Sequence, residues 1–302
     1  MKKKKNNLYN KIIIIIMFII SLIYCYSDNV TKSKVNDNSI EQRVNSEVVG
    51  NLKISYLDVG QADSILINCD NKYMLIDAGN NEDGMKLVNY FNSLGISNFD
   101  YVVGTHAHED HIGGMDDIID NFSINNFYMP DVITTTKTFE EVLDTLENKR
   151  IKFNTPSIGD TYKLSEASIK VLYVGHEESD LNNTSIVLKL SYGDNQFLFM
   201  GDATSKTEEK IINDNLRSDV LKVGHHGSQY STSLQFLNKV NPRYAIISVG
   251  KNNKYSHPND ITLTKLTNKS VNIYRTDIDG TITITSNGKD MSIDTIKTDL
   301  NG

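Results

Sequence analysis

The chain has 302 residues, a formal charge of −7 and 39% hydrophobic residues. Trp is absent and there are four prolines, which excludes collagen-like and Pro-rich disordered architectures. With two cysteines no disulfide framework exists, so a large apolar core must do the stabilising.

The N-terminus reads as a targeting segment. Lys2 to Lys5 are a positive cluster, and residues 12–24 are an apolar run interrupted only by Ser21. That length suits the apolar stretch of a signal peptide better than a membrane span, which needs about 20 residues. Residues 1–26 are expected to be a signal peptide cut near Tyr26 or a short N-terminal membrane anchor, with lipidation at Cys25 as a third fate. Residues 27–50 are expected to be a disordered linker, being polar and rich in Asn, Ser and Lys. Residues 51–302 then form one α/β domain of roughly 250 residues, a size compatible with a single core. This organisation puts the domain in a secreted or cell-surface position, on the outer face of a bacterial cytoplasmic membrane. Cleavage would remove five lysines, Lys2 to Lys5 and Lys11, taking the charge from −7 to −12. Such a chain does not draw in a polyanion by long-range attraction; local help is needed, and bound divalent cations supply it.

In chain order, residues 52–57, 64–68 and 73–76 read as short strands between turns. Cys69, just after the second, reads as a strand residue rather than a ligand. Residues 84–94 space Met85, Val88, Phe91 and Leu94 along one helical face. A short strand at 101–104 runs straight into a cluster of histidines, and helices follow at 112–119 and 138–148. Further strands are expected at 168–174, 184–190, 196–200, 219–223, 244–249 and 271–274. Helices are expected at 204–213, 231–240 and 260–266. Residues 281–286 and 291–294 form a closing hairpin around Asn287-Gly288. Two successive runs of strands and helices imply two sheets packed face to face with helices outside.

The strongest chemical signal is Thr105-His106-Ala107-His108-Glu109-Asp110-His111, followed by Gly113-Gly114. His106 and His108 alternate to one side of an extended segment, so both rings reach one metal ion. Asp110 and His111 stand where the chain has turned into the next helix, and reach a second ion. Imidazole and carboxylate are ligands for Zn²⁺ or Mn²⁺.

This His-x-His-x-Asp-His pattern resembles the defining motif of the metallo-β-lactamase superfamily. The resemblance continues at Leu75-Ile76-Asp77-Ala78-Gly79, Phe199-Met200-Gly201-Asp202 and Val223-Gly224-His225-His226-Gly227-Ser228. It is narrower still for the hydrolase domain of ComEC-type DNA-uptake competence proteins. Tyr56-Leu57-Asp58-Val59-Gly60-Gln61-Ala62-Asp63-Ser64 is similar to their "LDVGQGD" segment, with Ala62 in place of a glycine. Asn182-Asn183-Thr184-Ser185 and Ser256-His257-Pro258 are similar to further segments of that domain.

The resemblance implies a four-layer αββα sandwich and a binuclear metal centre. His106, His108, Asp110 and His111 are its first ligands, and Asp202 bridges the ions. His225 is favoured as the last ligand, with His226 behind it or on the substrate; the choice stays open. Asp77 orients the metal loop. Asp63 fixes a turn beside the site, and Asp58 orients a ligand. Asn182 stands where many members carry another histidine, as a weak ligand or substrate contact, and His176 reads as a surface loop residue. The implied chemistry is hydrolysis by a hydroxide shared between the two ions, with Asp110 on the metals and His226 or His257 protonating the leaving group. A phosphodiester, DNA included, is the expected substrate, making the chain a phosphodiesterase or nuclease. Two alternatives remain: a lactonase or β-lactamase-like hydrolase of a small molecule, and a non-catalytic metal-stabilised binding module.

Overall fold

A computed structural model describes residues 51–176 and 180–297. The expected signal or anchor segment 1–26, with Cys25, and the linker 27–50 lie outside the described residues.

The chain opens on an antiparallel meander of β1 (Leu52–Tyr56), β2 (Ser64–Cys69) and β3 (Lys72–Ala78). It continues through α1 (Gly84–Ser93), β4 (Asn98–Phe99), β5 (Tyr101–Val103), α2 (Glu109–Ile112), α3 (Met115–Asn121), β6 (Ser123–Ile124), β7 (Phe127–Tyr128), α4 (Lys137–Lys149) and β8 (Phe153–Asn154). Strands β5, β7 and β8 extend the sheet in parallel from β3. A second meander follows, of β9 (Thr161–Leu164), β10 (Ala167–Tyr173), β11 (Val187–Tyr192) and β12 (Asn195–Phe199). After it come α5 (Ser205–Ile211), β13 (Val220–Lys222), α6 (Leu234–Val240), β14 (Tyr244–Ile247), α7 (Asp260–Asn268) and β15 (Asn272–Arg275), with β13 to β15 parallel to β12. The short α8 (Thr276–Asp279) leads into the hairpin of β16 (Thr281–Ser286) and β17 (Met291–Ile296), which returns to pair with β1. The result is an eight-stranded sheet ordered β17-β16-β1-β2-β3-β5-β7-β8 and a seven-stranded sheet ordered β15-β14-β13-β12-β11-β10-β9.

Side-chain alternation explains the layering. Ile65 and Ile67 of β2 join Leu188, Leu190, Phe197 and Phe199 of the other sheet in the central core, whereas Leu66 between them points the other way. Leu66 packs with Leu87, Val88 and Phe91 of α1 and with Ile118 and Ile119 of α3. On the second sheet Leu198 and Leu221 likewise face Ile211, Phe236, Val240 and Leu266 of the outer helices. Each sheet thus buries one face on the other and one on helices, which is the expected αββα sandwich. Tyr56 and Phe199 stack across the two sheets, centroids 6.3 Å apart.

Two expectations need correction. The helix expected at 112–119 is broken into α2 and α3 at Gly113-Gly114. A Cβ on Gly114 would stand 2.6 Å from both Ala78 O and Gly84 Cα, and one on Gly113 would overlap the backbone of Asn80 and Asn81. The glycines let the metal-loop helix press directly on the turn after β3. The strand expected from 184 begins at Val187, because Leu181–Thr184 closes a 3₁₀ turn in which the Asp180 carboxylate accepts from Asn182 N. Gly113→Ala should therefore destabilise the domain by about 1–3 kcal/mol through overpacking, measured by urea denaturation.

Candidate metal centre

The site lies outside the carboxyl ends of parallel strands, the usual place for ligands in α/β sheets. Asp77 ends β3, the 105–110 loop follows β5, Asp202 follows β12, His225 and His226 follow β13, and His257 lies beyond β14. Backbone bonds tie these loops together. Asp63 N donates to Asp110 O (3.0 Å), His225 N to Gly201 O (3.1 Å), and Ile186 N to Thr105 O (2.9 Å), the last one joining segments from the two sheets.

Four side chains converge. His111 Nε2 lies 3.3 Å from Asp202 Oδ1, and His226 Nε2 lies 3.3 Å from Asp110 Oδ2 and 3.5 Å from Asp202 Oδ2. One ligating atom from each of Asp110, His111, Asp202 and His226 falls within 4.8 Å of the others. His111 Nε2, His226 Nε2 and Asp202 Oδ1 are buried without hydrogen-bond partners. Leaving buried polar atoms unsatisfied is costly, so their convergence needs a reason. Two imidazoles and two carboxylates aimed at one point are a donor set for a divalent cation, and the residues fit one.

The groups behind the cage fix its orientation. Asp77 Oδ1 accepts from Thr105 N (2.7 Å), and Oδ2 accepts from Thr105 Oγ1 (2.8 Å) and lies 2.8 Å from His111 Nδ1. Asp77 therefore ties Thr105 and His111, the two ends of the histidine loop, to the end of β3. His226 Nδ1 is 2.9 Å from Ser248 O, leaving Nε2 aimed at the carboxylates. His106 and His108 stand beside the cage, Nε2 of the first 2.9 Å from Nδ1 of the second. His106 and His111 rings are 4.1 Å apart at their centroids. Asn182 lines the same cavity with a buried, unpartnered Oδ1. His176 is an exposed loop residue.

The preference for His225 is reversed. Its Nε2 is 3.8 Å from Asp202 Oδ2 with the ring about a quarter exposed, while His226 is buried in the cage. Both residues occupy the left-handed region, with φ of 50° and 49°, so strand alternation no longer says which ring points inward. Asp63 also needs correction. It does not cap a turn; Oδ2 pairs with Lys222 Nζ at 2.6 Å, and Oδ1 lies 3.5 Å from His226 Nδ1. Lys222 and Asp63 are 0% and 1% exposed, so the pair is sealed from water. Lys222 escaped sequence reasoning because it sits between Leu221 and Val223, on a strand that otherwise reads as core. The carboxylate of Asp58 accepts from Gly60 N (3.4 Å), within its own turn.

Electrostatics follow from this crowding. Burial opposes a charge on His111, but Asp202, Asp77 and Asp110 outweigh it and hold its pKa well above the histidine range. His226 is raised likewise, burial being overcome by Asp202 and Asp110. Burial works against ionised Asp202, yet His226 and His111 hold its carboxyl well below the usual range. Burial, then the neighbouring His111 charge, pushes His106 well down. His257 is pushed down to about 4 by burial and then by His225, so at neutral pH its imidazole is uncharged. It lines, with His108, Asp110, Asn182, Asp202, His225 and His226, a cavity of about 890 Å³.

Removing Lys222 leaves Asp63 as an unpaired buried charge, at a cost of about 3–5 kcal/mol. Lys222→Met should lose about that much in urea denaturation, and adding Asp63→Asn should recover part of it, a coupling that a double-mutant cycle reads directly.

Comparison with known proteins is consistent with this geometry. The family model for the metallo-beta-lactamase superfamily matches residues 57–251. ComE operon protein 3 of Bacillus subtilis is 30% identical over 251 residues, covering 76% of this chain and 32% of that protein. Competence protein ComA of Neisseria gonorrhoeae is 29% identical over 233 residues, covering 76% and 31%. The chain thus spans about a third of the length of these relatives. Among solved structures, the metallo-beta-lactamase fold protein YhfI from Bacillus subtilis superposes with a TM-score of 0.51 at 12% identity, covering 74% of this chain and 95% of that one. CmlA, a diiron beta-hydroxylase from Streptomyces venezuelae, gives 0.50 at 14%, covering 76% and 53%. With its αββα fold and histidine-aspartate cage, the chain belongs to the metallo-β-lactamase superfamily and is similar to ComEC-type competence proteins.

Proposed function

We propose that the chain is an extracellular phosphodiesterase with a two-cation centre of Zn²⁺ or Mn²⁺, acting on DNA or another phosphodiester. The observation that carries the reading is the cage of Asp110, His111, Asp202 and His226, in which buried, unpartnered atoms of the last three converge beside an 890 Å³ cavity. The superfamily assignment makes a metal-dependent hydrolase the coarse conclusion. The likeness to competence proteins supports the choice of a phosphodiester and of DNA. The extracellular placement rests on Lys2 to Lys5 and the apolar run after them. A membrane partner is assigned to that N-terminal segment; no helix among the described residues is long and apolar enough to cross a membrane.

Asp110, His111, Asp202 and His226 would hold one cation, and His106, His108 and Asn182, with a share of Asp202, a second. Divalent cations held there supply Lewis acidity toward a phosphoryl oxygen and activation of water at neutral pH. Asp77 keeps His111 Nδ1 engaged so that Nε2 faces the cage, and Ser248 O does the same for His226. His257, uncharged and at the cavity surface, offers one ring N–H to an oxygen of the substrate. No serine or cysteine nucleophile enters this scheme.

Elemental analysis of the purified chain, paired with a panel of plasmid, linear single strand and bis-nitrophenyl phosphate, tests the reading. Divalent metal and cleavage of at least one phosphodiester are expected. Turnover of a lactone or nitrocefin, with every phosphodiester left intact, would overturn it. His226→Ala should lower metal affinity and cleavage roughly 100-fold or more, beyond the effect of losing an outer partner, whereas His225→Ala should retain the metal.

A further inference from the structure

The cavity lining is uneven in charge. Glu82, Asp83, Glu109, Asp110 and Asp202 contribute carboxylates, while Lys254 is the one lysine or arginine among its lining residues. Beside it stands Tyr255, the one tyrosine of that lining. Both belong to the arm after β14, and the arm is firmly built. Asn253 Nδ2 donates to Gly250 O (3.0 Å) and His257 O (2.5 Å), and its Oδ1 accepts from Tyr255 N (3.1 Å) and His257 N (3.0 Å). Gln61 Oε1 accepts from Gly250 N at 3.1 Å, fastening the arm to the turn before β2. A preformed arm loses little freedom when a ligand binds.

Tyr255 is held half open rather than folded onto the core, at 53% exposure. Its ring stacks on His257, centroids 5.7 Å apart and planes 24° from parallel, and Lys254 Nζ lies 5.0 Å from the ring centroid. An aromatic surface and a lone cation are therefore presented together, next to the cage.

We propose that Tyr255 and Lys254 form a subsite for the nucleoside adjoining the scissile phosphodiester, Tyr255 stacking on its base and Lys254 pairing with the neighbouring phosphate. The subsite rests on the phosphodiesterase reading of the same cavity. Every base has a π-face, so stacking binds single strands with little regard to sequence. A base must leave its helix to reach the ring, so the subsite favours single strands and frayed ends over intact duplex. Lys254 supplies, at the point of use, the positive charge that a chain of formal charge −7 lacks overall. The cavity volume of about 890 Å³ lies within the range that takes small molecules of nucleotide size.

The test is fluorescence anisotropy on the purified full chain with a labelled single-stranded oligodeoxynucleotide and an abasic strand of equal length. The base-bearing strand should bind more tightly. Tyr255→Ala should weaken it roughly 5- to 100-fold and close the gap between the two strands, and Tyr255→Phe should keep the gap. Lys254→Ala should weaken both strands alike and flatten the dependence on salt. A gap that survives Tyr255→Ala, or no gap in the unaltered chain, overturns the subsite. Cleavage on the same samples separates the two ideas. Tyr255-dependent binding with no cleavage of either strand or of bis-nitrophenyl phosphate sinks the phosphodiesterase reading and leaves Tyr255 as a base-binding site with no scissile bond beside it. Cleavage of both strands with no binding gap sinks the subsite alone.

Discussion

Asp77 collects three donors at once, and the arrangement of the centre starts there. Burial pushes the carboxyl of Asp77 up, and hydrogen bonding with Thr105 N, Thr105 Oγ1 and His111 Nδ1 offsets part of that cost. These bonds fix both ends of the histidine loop to the end of β3. Thr105 then passes the constraint on, its carbonyl accepting from Ile186 N, just ahead of β11 of the second sheet. The neighbouring Ser185 Oγ accepts from Asp202 N at 3.1 Å, and Asn183 Oδ1 accepts from Thr204 Oγ1 at 2.6 Å. A short chain of hydrogen bonds thus carries position from Asp77 to Asp202.

The buried backbone geometry at the centre is not relaxed. Asp77, His225 and His226 all have positive φ, near 50° to 60°. Non-glycine residues held there cost of order 1 kcal/mol each and persist where surrounding packing over-determines them. Here the packing is the sealed Asp63–Lys222 pair on one side and the Gly201 and Ser248 carbonyls on the other. The turn after β13 presents two successive imidazoles at different depths, one in the cage and one at the cavity surface with His257, 5.3 Å away between ring centroids.

Much of the architecture was legible in the amino-acid order. Alternation placed the main strands, and the clustered histidines marked the centre because several ligand-type residues in a short loop have no good packing explanation. What stayed hidden was decided by contacts distant in sequence. His226 displaces His225 because of a left-handed turn that nothing in the residue types announces. Lys222 lay unseen inside an apolar strand, its partner Asp63 lying more than 150 residues earlier. The two-residue strands β4, β6, β7 and β8 are too short to carry any period; β7 and β8 are added to the edge of the larger sheet beyond β5, and β4 and β6 pair only with each other. The break at Gly113-Gly114 reflects a close approach of two backbones, legible only once both are in place.

Because the cage takes Asp110 and His111 from one half of the chain and Asp202 and His226 from the other, this four-residue donor set exists only once both halves are folded together. The unfolded chain, with those groups scattered, binds a cation far less well. Folding and loading are then linked by mass action, and well above the dissociation constant each tenfold rise in free cation adds about 1.4 kcal/mol to the native state. Mineral supply in the surroundings becomes a determinant of the molecule's lifetime, acting before any substrate arrives. Scarcity would thin the population of intact molecules as well as idle those that remain.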